Sequence, residues 1–256
     1  MKFKLKTTLL PLVVFPIATV SLYSCNKYEK AEETAYEIPT ADGVIKSKDA
    51  TIVRWVDGDT PVIQFDDQSF FKGNKNIRIE LIDTPEKGVP KDGTYEKTEG
   101  LEHEWAEKAT KFGETTLPAG SKVKYVYSGS EPSQSYDRIV GSLYYQKPND
   151  SKWYNYGIEM IRAGLTLPNV IDKAYFKSSS RIEFYEGGKI WNAFHYAWAN
   201  GVGFYKGVPY DEKRLSEEMD KIYGKRGTPK FQAFLSSTEE NVLEIIKYTK
   251  ELLAEK

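Results

Sequence analysis

Five short segments rich in β-branched and aromatic residues, with one amphipathic segment between the third and the fourth, constrain the fold of this chain most. The five segments read TIVRWV (51–56), PVIQFD (61–66), NIRIELI (76–82), SKVKYVY (121–127) and RIVGSLYY (138–145). Between the third and fourth, apolar residues recur at helical spacing: Leu101, Trp105, Ala109 and Phe112. This order predicts an α+β protein built on a five-stranded Greek-key β-barrel of the OB-fold type, with flanking helices.

The N-terminus has the pattern of an export signal that ends at a lipid attachment site. A basic stretch, MKFKLK, precedes an apolar stretch that is broken by two prolines. That apolar stretch is shorter than the roughly 20 residues of a membrane-spanning helix. Leu22 and Ser24 then precede Cys25 as in a bacterial lipobox. We expect residues 1–24 to be a lipoprotein signal peptide and Cys25 to carry the lipid. An ordinary signal peptide with a chance cysteine is the alternative.

Composition divides the rest of the chain into three parts. Residues 25–50 are polar and of mixed charge, which is typical of a tether that holds a domain off a membrane. Residues 51–208 contain the five predicted strands and form the expected domain. Residues 209–256 form a helical extension. Within the domain, the helical pattern of residues 181–205 is expected to be interrupted at Gly187 and Gly188.

The end of the extension predicts an amphipathic helix. Ser237 and Glu240 have the spacing of a capping box. One apolar stripe follows, formed by Val242, Ile245, Ile246, Leu252 and Leu253. A helix packed on the domain and a helix that binds a partner both fit this pattern.

Cysteine usage and charge exclude several classes of protein. Cys25 is the one cysteine of the sequence, so an intramolecular disulfide and a cysteine-based zinc site are both excluded. The formal net charge is −1. Composition alone therefore does not indicate nucleic-acid binding, and such a function would depend on local placement of charge.

Two short acidic motifs lie where predicted strands end. Asp57 and Asp59 flank a glycine in WVDGDT, and Asp83 and Thr84 precede Pro85 in LIDTPE. Taken singly, the first motif fits a simple hairpin turn and the second a strand end stopped by proline. Taken together, they place two carboxylates and a backbone carbonyl near one edge of the sheet. These hard oxygen ligands suit Ca²⁺, with water and substrate completing the shell.

Strand geometry conflicts with one part of this interpretation. Arg78 and Asp83 are five residues apart, so a regular strand would point them to opposite faces of the sheet. A shared site therefore requires a bend or bulge near residues 82–85.

Four motifs in this order resemble the staphylococcal (thermonuclease-type) nuclease family over roughly residues 51–205. They are DGDT (57–60), RIELIDTPE (78–86), YDRIVGSLYY (136–145) and IEMIRAGL (158–165). The resemblance implies an OB-fold enzyme that cleaves phosphodiesters in DNA and RNA with Ca²⁺. Two features depart from the family: acidic and basic residues nearly balance, and residues 87–100 and 169–188 look altered.

The resemblance also implies a role for each motif residue. The carboxylates of Asp59 and Asp83 and the backbone carbonyl of Thr84 would bind the metal. Glu86 would position or deprotonate the attacking water. The residues that would contact the substrate are Arg78 and Arg138, which grip the phosphate, and Tyr136. Glu80 receives no role.

We therefore expect a monomeric Ca²⁺-dependent nuclease that is lipid-anchored on the outer face of the cell membrane and acts on DNA and RNA. One alternative is a non-catalytic nucleic-acid-binding or adhesion module on the same barrel. OB barrels commonly bind single strands in this way, although pure binding has no use for the acidic residues. A solute-binding lipoprotein is the weaker alternative, because it would need two larger α/β lobes.

Overall fold

The computed structural model describes residues 36–41, 43–224 and 227–255. The predicted signal peptide and Cys25 lie outside the described residues. Within those ranges, no helix has both the length and the apolar character needed to cross a bilayer.

The domain is of the α+β class, as predicted, with a mostly antiparallel sheet. Its strands in the described part of the chain are β1 Ile45–Asp57, β2 Thr60–Phe65, β3 Asn74–Ile79, β4 Ile82–Asp83, β5 Gly88–Lys91, β6 Thr94–Lys97, β7 Lys122–Ser128, β8 Gln134–Ser135, β9 Arg138–Gln146, β10 Trp153–Asn155 and β11 Leu167–Pro168. The α-helices are α1 Gly100–Thr116, α2 Tyr156–Arg162, α3 Ile182–Ala199, α4 Glu212–Ile222 and α5 Val242–Ala254. Each of the five predicted strands has a counterpart, and α1 lies between the third and the fourth.

The five long strands pair in a circuit. The antiparallel pairs are β1 with β2, β2 with β3, β1 with β7, and β7 with β9, and β3 pairs with β9 in parallel. Strand β1 can contact both β2 and β7 because it is long and its register shifts twice, between Ile52 and Arg54 and between Trp55 and Asp57. Such bulges bend a strand and increase its twist.

The described part of the expected tether, from residue 36 onward, is folded against the domain. Strand β1 begins at Ile45, six residues before the predicted strand. Tyr36 is buried, its backbone N–H donates to the Trp153 carbonyl at 2.8 Å, and its hydroxyl accepts from Arg162 at 2.7 Å. The polar composition of this segment concealed these long-range contacts.

The predicted interruption at Gly187 and Gly188 is wrong, because α3 is continuous from Ile182 to Ala199. A Cβ atom on Gly187 would lie 2.7 Å from the Phe176 ring and 2.8 Å from the Ile246 side chain. This glycine therefore allows close packing of neighbouring elements against the helix and does not break it.

The predicted capping box is also wrong. Helix α5 begins at Val242, and the Asn241 side chain caps it by accepting from the Glu244 N–H at 3.1 Å. Asparagine at this position satisfies one of the free N–H groups of the first turn. The N-terminal half of the stripe is buried against the domain, whereas Leu252 and Leu253 are each 43% exposed.

A buried carboxyl group lies between α3 and the sheet. Glu186 accepts hydrogen bonds from the Tyr144 hydroxyl at 2.7 Å, the Asn155 amide at 2.9 Å and the Ser142 hydroxyl at 2.9 Å. Burial raises the pKa of Glu186 from 4.5 to about 7, although the three donors oppose that rise. Its proton therefore stays bound in the folded protein over a pH range in which the unfolded chain has lost it.

We expect Glu186→Gln to flatten the pH dependence of stability. The raised pKa stabilises the folded state fully below about pH 4.5, and this contribution is lost as the pH rises to about 7. The shift corresponds to on the order of 3 kcal/mol. Urea unfolding between pH 4.5 and 8 measures it, with the exposed Glu251→Gln as control. If the wild-type and Glu186→Gln curves stay parallel across that range, Glu186 does not titrate as described.

Candidate active site

The turn between β1 and β2 places Asp59 at the edge of the sheet. A Cβ atom on Gly58 would lie 2.7 Å from the Ala109 side chain, so the turn can approach α1 only with glycine at this position. The Tyr156 hydroxyl donates to the Gly58 carbonyl at 2.9 Å, and the Ile79 N–H donates to the Asp59 carbonyl at 3.0 Å. The Asp59 side chain is 1% exposed and is held by backbone contacts on both sides.

A break in the third predicted strand resolves the conflict of strand geometry. The stretch predicted as one strand over 76–82 is divided into β3 and β4, and Leu81 between them has φ +63°. A left-handed leucine costs of order 1–2 kcal/mol, which the surrounding contacts must offset. The bend at Leu81 lies one residue before residues 82–85, where the sequence predicts it. It lets the side chains of Arg78 and Asp83 meet on one side of the backbone.

The guanidinium of Arg78 joins the two acidic motifs. Its Nη1 lies 2.6 Å from Oδ2 of Asp59, and its Nη2 lies 2.6 Å from Oδ1 of Asp83 and 3.3 Å from the Ile82 carbonyl. Burial alone would lower the pKa of Arg78, but the charges of Asp59 and Asp83 raise it further than burial lowers it. Arg78 therefore stays protonated and compensates two buried carboxylates.

Further donors fix the orientation of both carboxylates. Asp59 accepts from the Thr60 hydroxyl at 2.9 Å and from the Thr84 N–H at 3.0 Å. Asp83 accepts from the Asn169 amide at 3.1 Å. The Thr84 hydroxyl is buried beside this network and has no hydrogen-bond partner in the described part of the chain.

Arg138 lies on the same side of the sheet as Asp59. Its Nη1 donates to the Thr60 hydroxyl at 3.2 Å, and that hydroxyl donates to Asp59. Arg138 begins β9 directly after the hairpin turn Tyr136-Asp137, in which Tyr136 has φ +57° and is 92% exposed. We call Asp59 and Asp83, at the edge of the sheet, the acidic edge. Arg138 and Tyr136, both from the third predicted motif, flank it, the first as a fixed cation and the second as an exposed ring.

Two cavities open on either side of Arg138. The larger, of about 480 Å³, is lined by Asp57, Thr60, Glu86, Tyr95, Tyr136 and Arg138, among others. The smaller, of about 240 Å³, is lined by Arg78, Tyr136, Arg138, Asn169 and Tyr175, among others. Arg138 and Tyr136 line both cavities. Of the predicted site residues, Arg78 thus lines the smaller cavity, Glu86 the larger, and Arg138 and Tyr136 both.

Asp57 belongs to the site as well, although the sequence indicates only a turn there. It is buried in the wall of the larger cavity with Glu86. Burial and the nearby charge of Asp59 raise the pKa of Asp57 to about 6, against a hydrogen bond with the Glu86 side chain that lowers it. Two carboxyl groups with different environments therefore share this wall.

Glu80, which has no assigned role, makes its ion pair away from the acidic edge. Its carboxylate lies 3.5 Å from Arg181, and burial, followed by the charge of Glu183, raises its pKa well above the usual value. Sequence reasoning missed Asn169, Tyr95 and Tyr223, whose hydroxyl donates to the Asp83 carbonyl at 2.7 Å. No motif marks these three residues, because only tertiary contacts bring them to the site.

The donor set fits a hard cation by its chemistry. Asp59 and Asp83 supply carboxylate oxygens of the kind that Ca²⁺ prefers, and the partnerless Thr84 hydroxyl adds a buried oxygen beside them. Over the ranges that the structure describes, no three His, Cys, Asp or Glu side chains group closely enough to hold a metal on their own. The protein therefore offers part of a coordination shell, and Arg78 now bonds to both carboxylates.

Comparison with known proteins matches residues 76–186 to the family described as staphylococcal nuclease homologue. This part of the chain is therefore similar to staphylococcal nuclease homologues. The match includes Arg78, Asp83, Glu86 and Arg138, and it begins after Asp59. The resemblance found in the motifs is thereby confirmed for the segment that carries most of the site.

Two curated relatives are lipoproteins from mycoplasmas. The chain is 30% identical over 199 residues to a Mycoplasma pneumoniae protein named lipoprotein MG186 homolog, covering 63% of this chain and 62% of that protein. It is 30% identical over 158 residues to Mycoplasma genitalium lipoprotein MG186, covering 61% of this chain and 57% of that protein. The chain thus spans about three fifths of the length of these two mycoplasma lipoproteins.

We expect Arg78→Met to destabilise the domain by roughly 3 kcal/mol, because it removes the guanidinium that bonds to two buried carboxylates. Methionine keeps most of the apolar stem and removes the guanidinium. Urea unfolding at pH 7 in the presence of EGTA measures the change. Arg54→Met, at an exposed position of β1, is the matched control and should change stability by less than about 0.5 kcal/mol. Equal effects of the two substitutions would show that Arg78 does not hold the acidic edge together.

Proposed function

We propose that this protein is a Ca²⁺-dependent nuclease that hydrolyses phosphodiester bonds of DNA and RNA. The observation that carries the proposal is the convergence of Arg78 and Arg138 on Asp59, beside cavities whose wall also holds Glu86. Two cations close to an acidic pair, with a candidate base nearby, suit phosphodiester hydrolysis. The circuit of five paired strands supports an OB-type barrel as the scaffold.

Arg78 and Arg138 would bind the phosphate. A guanidinium offers planar, paired N–H donors that match phosphate oxygens, and it keeps its charge at every relevant pH. Negative charge grows on those oxygens as water attacks. Donors fixed in advance at such a position are typically worth about 2.7–4 kcal/mol each. Arg138 is held by Thr60 and Arg78 by Asp59 and Asp83, so both are oriented before substrate arrives.

Glu86 would accept a proton from the attacking water. It lies in the wall of the larger cavity, next to Arg138 and to Asp57. A carboxylate one hydrogen bond from the water typically contributes about 10²–10⁴-fold to the rate.

Asp59 and Asp83, with the backbone carbonyl of Thr84, would hold Ca²⁺. When bound, the cation supplies Lewis-acid polarisation of the phosphate. Both carboxylates now accept from Arg78, and a bound phosphate would give that guanidinium another anion to bond. Two protein carboxylates are few for Ca²⁺, so we expect weak affinity, in the range of about 10⁻⁴–10⁻³ M known for extracellular modules.

The names of the mycoplasma relatives and the predicted lipobox support a place on the membrane. We propose that Cys25 carries a lipid and that the nuclease domain lies at the outer face of the cell. Ca²⁺ and nucleic acid from the medium would both be accessible there.

We expect purified residues 26–256 to cleave single-stranded DNA with Ca²⁺ and to lose that activity in EGTA. Arg138→Lys should lower kcat/KM by about 10²–10³-fold, because lysine replaces a planar donor pair with a point charge. Glu86→Gln should lower kcat by about 10²–10⁴-fold. The matched controls are Arg54→Lys and Glu99→Gln, both at exposed positions away from the cavities.

The same assay separates the two candidate functions. A folded protein that binds DNA yet leaves it intact, with or without Ca²⁺, would establish a non-catalytic binding module and refute the nuclease. The acidic edge favours the nuclease, because Asp59, Asp83 and Glu86 repel nucleic acid unless a cation or a reaction needs them.

We also expect the protein to cut within a chain. Both cavities are lined by Arg138 and Tyr136, so we propose that a polynucleotide extends through both of them from a phosphate bound at that arginine. A circular single-stranded DNA offers no ends and tests this directly. Conversion of circles to linear products is expected. Intact circles, under conditions in which linear strands of the same sequence are degraded, would instead show that the enzyme requires an end.

A further inference from the structure

The C-terminal extension reaches the acidic edge, although it lies outside the matched segment 76–186. Tyr223 follows the last residue of α4 and is fully buried. Its hydroxyl donates to the Asp83 carbonyl at 2.7 Å and accepts from the Leu167 N–H at 3.0 Å. Leu167 and Asp83 are partners in the β4–β11 ladder. The Tyr223 hydroxyl therefore bridges β4 and β11 at Asp83, the residue whose side chain bonds to Arg78.

A second set of contacts from the extension acts on the side-chain carboxylate of Asp83. The backbone N–H of Lys230 donates to the Asn169 side-chain oxygen at 3.3 Å, and the Lys230 carbonyl accepts from the Val170 N–H at 2.9 Å. The amide of Asn169 in turn donates to the Asp83 carboxylate at 3.1 Å. The extension thus acts on the carbonyl of Asp83 directly and on its carboxylate through Asn169.

Asp83 needs such support because its own strand is weak. Strand β4 has two residues, follows the left-handed Leu81 and ends at Asp83, two residues before Pro85, which has no N–H to donate. Apolar side chains dock the extension onto the domain, since Leu215, Met219 and Ile222 of α4 are buried. Two hydrogen bonds of the Tyr223 hydroxyl join it to the β4–β11 ladder.

We propose that Tyr223 is a positioning residue for Asp83 and that the C-terminal extension is a working part of the active site. The hydroxyl fixes the main chain of Asp83, which sets the carboxylate against Arg78 and against a bound cation. Its effect on catalysis rests on the proposed nuclease function, whereas its effect on the position of Asp83 does not. Contacts of this kind, behind a metal ligand, are typically worth about 10–100-fold in metal affinity.

The test compares Tyr223→Phe with Tyr205→Phe in the full chain. Both tyrosines are fully buried, but the Tyr205 hydroxyl has no hydrogen-bond partner in the described part of the chain. Each substitution removes one buried oxygen, and only the first removes the bridge to Asp83. Amide hydrogen exchange over residues 81–86 is the primary measurement. The Asp83 and Thr84 amides donate to Thr166 and Asp59, so faster exchange reports a displaced segment and not the lost hydroxyl itself.

We expect exchange over residues 81–86 to be at least tenfold faster in Tyr223→Phe than in Tyr205→Phe. Titration with Ca²⁺ alone, followed by calorimetry, should show a midpoint about tenfold higher for Tyr223→Phe and unchanged for Tyr205→Phe. Equal exchange in the two variants would overturn the proposal, whatever the activity. A wild-type chain that neither binds Ca²⁺ nor cleaves DNA would refute the nuclease function, and exchange would still decide whether Tyr223 positions Asp83.

Discussion

The bonds of Arg78 to Asp59 and Asp83 are the interaction on which the rest of the site depends. Two carboxylates that come from different turns cannot stay buried side by side without a cation, because each would raise the cost of ionising the other. The Arg78 guanidinium donates to both carboxylates at 2.6 Å, so one positive charge lies between two negative charges. Arg138 adds a second guanidinium close by, through the Thr60 hydroxyl that donates to Asp59. The position of both arginines thus follows from the position of the acidic residues.

Much of this arrangement could be predicted from local patterns, and the remainder could not for physical reasons. Alternation and turn residues locate the five strands, and the family resemblance carried by RIELIDTPE implies that Arg78 and Asp83 share a site, although their spacing alone argues against it. The bend that makes this possible depends on a left-handed leucine, which no propensity favours. A glycine in a helical pattern can either interrupt the helix or allow a neighbour to pack closely against it. Gly187 does the second, because Phe176 packs against it, and this contact is formed only in the tertiary structure. Local sequence cannot distinguish close packing from a break.

Tyrosine hydroxyl groups connect distant parts of this chain, which has one cysteine and 18 tyrosines. Tyr156 bonds to the turn at Gly58, Tyr125 bonds to the Val140 carbonyl at 2.6 Å, and Tyr144 bonds to the buried carboxyl group on α3. Each such residue buries a large ring and still directs a polar tip to a defined partner. In a chain whose single cysteine excludes an intramolecular disulfide, these bonds supply specific links between elements that apolar packing alone would leave less well defined.

The reach of Tyr223 to Asp83 spans 140 residues of sequence. A chain emerging from the ribosome presents Asp59, Arg78 and Arg138 long before it presents the hydroxyl that steadies Asp83. The support for Asp83 therefore comes late in the order of synthesis, and a polypeptide that stops short of residue 223 has the three earlier side chains without this hydroxyl.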